Sequence, residues 1–234
     1  RFDKRSFSAD ASVYETGQTT RDYVLNTAGL AAWGALFPVL SIVATQLAGA
    51  EQAGMFSMAF TTATLLLYVG NYGVRTYQVS DLDESDSFAS YQVQRFMTVG
   101  VMLLVGWIWC YVRGYNSDMT LITLGAFGFR AVDALADTYE ARLQQMDKLY
   151  LSGVSQAVRS VLGIVVFSVL LFMTHNLVMA SIGMAVSAVA TLLVLTVPLA
   201  LLETPKSRNA DPIEVSELFV ECFPAFAAQF LFEL

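Results

Sequence analysis

The sequence predicts an all-α transmembrane protein, a six-helix bundle followed by the start of a seventh helix. Three observations carry that prediction. Of 234 residues, 56% are hydrophobic and only 14% are charged, against about 25% charged in an average soluble domain, and mean hydropathy is +0.55. The apolar residues gather into stretches long enough to cross a bilayer, which takes about 20 residues as a helix. Those stretches are apolar throughout, whereas a barrel strand is a run of about ten alternating residues. Only helices and closed barrels satisfy their own backbone in lipid, so helices remain.

Taken in order, residues 1–22 are polar and lack the apolar core of a signal peptide. The first span, 23–50, contains no charged residue. Its small residues Gly29, Ala32, Gly34 and Ala35 predict close helix approach, and Pro38 predicts a kink. The second span, 52–74, is also uncharged. The third, 96–112, has 17 residues, near the lower limit for crossing. The fourth starts at Met119, stays apolar to Phe129, and then meets Arg130, Asp133 and Asp137. The fifth, 149–174, carries Arg159, and the sixth, 177–202, has 26 uncharged residues with Pro198 among them. A linker at 203–216 leads to 217–234, read as a seventh helix cut short. A first residue other than Met, and an ending inside an apolar run, predict a fragment of a longer protein.

Orientation follows from the cation asymmetry. Of 13 lysines and arginines, eleven fall on one side, Arg113 alone falls on the other, and Arg159 lies inside a span. Positive residues mark the cytoplasmic face, so a plasma-membrane protein with a cytoplasmic N-terminus is expected. The connections on the opposite face are short, which predicts tight antiparallel hairpins. Tyr68, Tyr72, Trp107, Trp109 and Tyr111 lie near span ends and read as interfacial aromatics.

Several function classes are excluded. There is one histidine, His175, and the cysteines Cys110 and Cys222 have no metal-ligand spacing. No cofactor or metal is expected, no nucleophile elbow or phosphate-binding loop is present, and no basic stripe points to nucleic acid. The acidic loop around Asp81, Asp83, Glu84 and Asp86 reads as a solvated loop.

The costly polar groups are therefore the informative ones. A charge at the centre of a spanning helix costs about 2.5–3.5 kcal/mol on insertion scales. Arg130, Asp133 and Asp137 are offset by 3 and 7 residues, one face of a helix that cannot look at lipid. Asp133 and Arg159 each lie 13 residues from Met146, so a fourth–fifth hairpin brings Asp133 or Asp137 against Arg159. That pair could simply fix helix register, or Arg130 or Arg159 could face a wet cavity and take an anion. Arg75 stands at the end of the second span. It either snorkels to the headgroups or belongs to a helix prolonged by Thr76–Asp81 into a cavity mouth.

The stretch Gly70-Asn71-Tyr72-Gly73-Val74-Arg75-Thr76-Tyr77-Gln78-Val79-Ser80-Asp81, with Phe88, Tyr91 and Arg95 after it, resembles the Wzx-type flippases of bacterial polysaccharide synthesis. These belong to the multidrug/oligosaccharidyl-lipid/polysaccharide exporter (MOP) superfamily. The run Arg130-Ala131-Val132-Asp133-Ala134, continuing to Gln144-Gln145, Lys148 and Arg159, is similar as well. The resemblance implies 12 to 14 helices in two bundles around a central, typically cationic cavity, this chain being the first bundle. It further implies export of an oligosaccharide linked to undecaprenyl pyrophosphate. Arg75, Arg130 and Arg159, with Gln78 and Asn71, are then the substrate-binding candidates. Asp133 and Asp137 are an ion-coupling or structural pair, and the expected partners are the lipid-linked oligosaccharide, the bilayer and polysaccharide-synthesis machinery. The alternatives are a multidrug exporter of the same superfamily, which would need an acidic cavity, and a membrane-embedded enzyme or scaffold subunit of a polysaccharide-synthesis complex.

Overall fold

Nine α-helices account for nearly all of the described chain: α1 (Thr16–Ala48), α2 (Ala50–Asn71), α3 (Val74–Ser80), α4 (Phe88–Val112), α5 (Ser117–Gln145), α6 (Leu149–Thr174), α7 (Leu177–Thr191), α8 (Val197–Glu203) and α9 (Val215–Glu233). The structure is a computed structural model describing residues 16–81, 84–206 and 215–233, and no strand occurs among them. Most of the expected polar N-terminal segment and linker, and Leu82 and Asp83 of the acidic loop, lie outside the described residues.

Local chemistry sets the reversals. Gly49 turns the chain between α1 and α2 at φ 89, a left-handed conformation open to glycine without steric cost. Asn116 caps α5 by accepting the Met119 amide at 2.9 Å. Asn176 caps α7 by accepting the Val178 and Met179 amides at 2.9 and 3.2 Å. Both satisfy amides that a helix start leaves without partners.

Among the described residues, six helical units are long and apolar enough to cross a membrane, the last running unbroken over Leu177–Glu203. Within it, Leu192–Thr196 is a π-helical turn joining α7 to α8, in which the Val197 amide reaches back to the Leu192 carbonyl. Pro198 follows at once and has no amide to donate, so the expected kink takes the form of a wider turn. Pro38 lies inside the continuous α1.

Two elements differ from the sequence reading. α4 begins at Phe88, eight residues before the expected third span, because its polar first turns are occupied: Gln94 Nε2 donates to the Leu218 carbonyl of α9 at 3.4 Å. α2 does not run on through Arg75. It stops at Tyr72 and Gly73, both left-handed with φ 44 and 68, and the chain restarts as α3. Tyr72, expected as an interfacial aromatic, packs on α9: its ring stacks on Phe226 with centroids 4.7 Å apart and meets Phe219 edge-on at 5.2 Å.

α5 is the axis of the bundle. About 72% of its spanning window is buried, against 22–39% for the other spans, whose outward faces are apolar. α1 lies along α6 at a crossing where Gly29 meets Gly153 backbone to backbone; a Cβ on Gly29 would stand 2.5 Å from the Gly153 carbonyl oxygen. Gly34, also expected to allow close approach, faces open space. One side of α5 packs into an aromatic core in which Phe56 contacts Phe167 at 4.8 Å and Phe60 contacts Phe129 at 6.5 Å. The other side is polar.

Candidate functional site

Arg130, Asp133, Asp137, Glu140 and Gln144 follow one another along α5 at spacings of 3, 4, 3 and 4 residues. That rhythm keeps them on one face over about 21 Å of helix at 1.5 Å per residue. Three arginines from other helices meet them: Arg75 of α3, Arg95 of α4 and Arg159 of α6. The result is a chain of seven charged groups alternating in sign.

At one end, Arg130 Nη1 donates to Asp133 Oδ2 at 2.8 Å and Nε to Thr64 Oγ1 at 3.2 Å. Its guanidinium lies 4.5 Å from the Phe60 ring centre and 4.9 Å from that of Trp33, close enough for cation–π attraction. Trp33 Nε1 also donates to Asp133 at 3.3 Å. Arg159 bridges the next two carboxylates, with Nε donating to Asp133 Oδ1 and Nη1 to Glu140 Oε1, each at 2.7 Å. Ser155 adds a hydroxyl bond to Glu140 Oε1 at 2.9 Å. Arg75 continues the series, with Nη1 donating to Asp137 Oδ1 at 2.6 Å and lying 4.0 Å from Glu140 Oε2. Its Nη2 reaches Gln144 at 2.9 Å and Ser152 at 3.4 Å. Arg95 closes the far end on Asp137 Oδ2 at 2.8 Å and is itself held by Thr138, the Gly70 carbonyl and Asn71 at 2.9, 2.9 and 3.1 Å.

Each carboxylate thus has two guanidinium neighbours, which offsets the desolvation cost of burying ions. Four guanidinium groups against three carboxylates leave one formal positive charge. Exposure distinguishes the arginines: Arg95, Arg130 and Arg159 retain 1–3% of their side-chain surface, whereas Arg75 retains 31%. The surplus charge can therefore meet a solute only at Arg75.

The hairpin pairing expected of Arg159 is made with Asp133; Asp137 instead serves Arg75 and Arg95. Arg75 does not snorkel outward but turns inward onto α5. Arg130 and Arg159 are buried and carboxylate-paired. Gln78 is fully buried and donates to the Thr138 carbonyl at 3.2 Å, tying α3 to α5. Asn71 lines a small cleft of about 80 Å³, together with Trp33, Asp133, Asp137, Glu140 and Arg159. At roughly 30 Å³ per water, that holds a few water molecules and not a sugar phosphate.

Two members of the chain escaped the sequence reading. Glu140 extends the 3–4 rhythm one step past Asp137, a signal that was legible. Arg95 counted as a loop cation because the polar turn before the apolar run hid the true start of α4.

Asp81 and Glu84, at the two described ends of the acidic loop, are held by neighbours and are not simply solvated. Asp81 accepts the Ser85 hydroxyl and amide at 2.6 and 2.9 Å, the Asp86 amide at 3.1 Å and the Tyr91 hydroxyl at 2.9 Å. Partial burial opposes its ionisation, but these hydrogen bonds prevail and hold its carboxyl below the usual range. Glu84 is 4% exposed and lies 3.3 Å from buried Arg142, which also donates to the Pro205 carbonyl at 3.1 Å.

Neither a protein-family model nor a curated protein matches the chain. Among solved structures, a MOP superfamily transporter from Pyrococcus furiosus shares the fold with a TM-score of 0.62 at 15% identity, over 91% of this chain and 52% of that one. The description of that protein states that the reverse polarity of its binding pocket suggests a different function. The chain is a multi-pass membrane protein that spans about half the length of this transporter and has the fold of that half.

Proposed function

We propose that this chain forms one half of a transporter that moves an anionic, lipid-linked oligosaccharide, of the undecaprenyl-pyrophosphate type, across the plasma membrane for polysaccharide export. The observation that carries the reading is the charge chain along α5, in which four arginines outnumber three carboxylates and Arg75 alone of the four is exposed. A diphosphate cannot cross about 30 Å of hydrocarbon unaided. A guanidinium presents parallel donors that match phosphate oxygens. Arg75 is the residue that meets the headgroup; Asn71 lies at the cleft beside it, and Gln78 holds α3 in place. Arg130 and Arg159 act by keeping Asp133 and Glu140 occupied. The substrate chamber lies between the two halves, which alternate access around it, with the N-terminus cytoplasmic and the polysaccharide-synthesis machinery as source of the substrate.

The test is complementation. In cells lacking the gene, lipid-linked glycan should accumulate on the cytoplasmic leaflet. The full-length protein should clear it, and the Arg75→Ala variant should not. Clearance by Arg75→Ala at wild-type rate contradicts the reading.

A second reading has its own observation. Asp133, Asp137 and Glu140 all line the cleft beside Arg159, a surface on which an exporter of organic cations could draw. That reading expects efflux of a lipophilic cation from wild-type cells and its loss in Asp137→Asn, with lipid-linked glycan unaffected.

A further inference from the structure

We propose that Asp137 is an internal competitor for the anion site at Arg75, and that Arg95 is the second seat that keeps Asp137 paired when Arg75 turns to a ligand. The inference rests on the reading that Arg75 receives an anionic headgroup.

The two oxygens of Asp137 are divided between the two arginines. Oδ1 accepts from Arg75 Nη1 at 2.6 Å and Oδ2 accepts from Arg95 Nη2 at 2.8 Å. Loss of the first bond leaves the second untouched. Glu140, the other carboxylate near Arg75, stands 4.0 Å away through Oε2, and its Oε1 is already held by Arg159 and Ser155. Arg75 can therefore leave without stripping either carboxylate of its last cation. Among the four arginines of this cluster, exposure is what sets Arg75 apart. Arg159 makes its 2.7 Å bonds to Asp133 and Glu140 at 2% exposure, and Arg95, at 1%, is fixed by three further acceptors. Arg75 and Asp137, at 31% and 17%, form the exposed link. A carboxylate oxygen on a guanidinium fork occupies the position that a phosphate oxygen would take. Asp137 thus holds the fork ready and must be displaced from it.

This arrangement predicts an effect opposite in sign to that of a supporting residue. If Asp137 merely oriented Arg75, neutralising it would weaken anion binding. If it competes, neutralising it tightens binding. The experiment measures inorganic pyrophosphate binding to the full-length protein in lipid nanodiscs by titration calorimetry. Asp137→Asn should bind about tenfold tighter than wild type, the worth of one charge-assisted hydrogen bond. Arg95→Gln should bind about tenfold more weakly, because Asp137 then has Arg75 alone. The double variant, Arg95→Gln with Asp137→Asn, should recover at least wild-type affinity. Asp137→Asn binding no tighter than wild type overturns the proposal, and so does a double variant as weak as Arg95→Gln. Should Arg95→Gln fail to fold, the Asp137→Asn comparison decides alone. Arg75→Ala separates the two claims: unchanged affinity there removes the anion reading itself, while lost affinity with no gain in Asp137→Asn removes only the competitor.

Discussion

Asp133 concentrates the energetics of the buried chain in one side chain, since it accepts from Arg130, Arg159 and Trp33 at 2.8, 2.7 and 3.3 Å. Its removal leaves two buried guanidinium groups short of a carboxylate, and breaking such a pair costs on the order of 3–5 kcal/mol. Asp133→Ala should therefore lower the melting temperature of the detergent-purified protein steeply. Adding Arg159→Met to it should cost much less than Arg159→Met alone, since paired groups are not additive; additive losses would show that the two do not interact. Asp81 makes a different prediction. Its folded-state pKa is depressed, so the stability it contributes is present above its unfolded value, near 3.9, and is lost as pH falls through the lower folded value. Asp81→Asn should destabilise the protein at pH 7, with the gap to wild type closing below about pH 4. A gap that persists in acid would place the effect outside the carboxylate.

Among the elements, the Tyr72–Gly73 break matters most, because it sets α3, and with it Arg75, apart from α2. Gly73 has φ 68, and a Cβ there would come within 2.8 Å of Ala225 and the Phe226 amide of α9. Gly73→Ala thus combines backbone strain of roughly 1–2 kcal/mol with displacement of α9. It should lower thermal stability, and crosslinking between cysteines at Thr76 and Gln229, whose side chains meet at 3.3 Å, should fall with it. Wild-type crosslinking in Gly73→Ala would show that α9 does not depend on this contact. The α1–α6 crossing is comparably tight: Gly153→Leu should prevent accumulation in the membrane, because a Cβ there enters the backbone of Leu25 and Asn26.

For the whole molecule, what the sequence disclosed and what it hid have physical causes. Spans are legible because lipid imposes a length and a composition that soluble packing does not. The hairpin depth of Asp133 and Arg159 is legible because helical rise is constant. The α2–α3 break is only half legible: Gly73 is a common helix-stop residue, but that the chain restarts at once as α3 and that Tyr72 packs on Phe219 and Phe226 of α9 are not encoded locally. The long-range partners Arg75 with Asp137 and Arg95 with Asp137 are 62 and 42 residues apart, and no local pattern encodes such a meeting. Arg95 was invisible for the further reason that polar first turns look like a loop until something is known to cover them.

The central claim is that the charges along α5 are turned inward and paired among themselves, and that Arg75, the exposed arginine among them, faces the chamber proposed between two halves. A cryo-electron microscopy map of the full-length protein in lipid nanodiscs with added pyrophosphate tests it most directly. The expected map shows Arg95, Arg130 and Arg159 enclosed against α5, with density for the anion on the Arg75 guanidinium. A map in which Arg75 points at acyl chains, or is sealed by the second half with no chamber before it, contradicts the account.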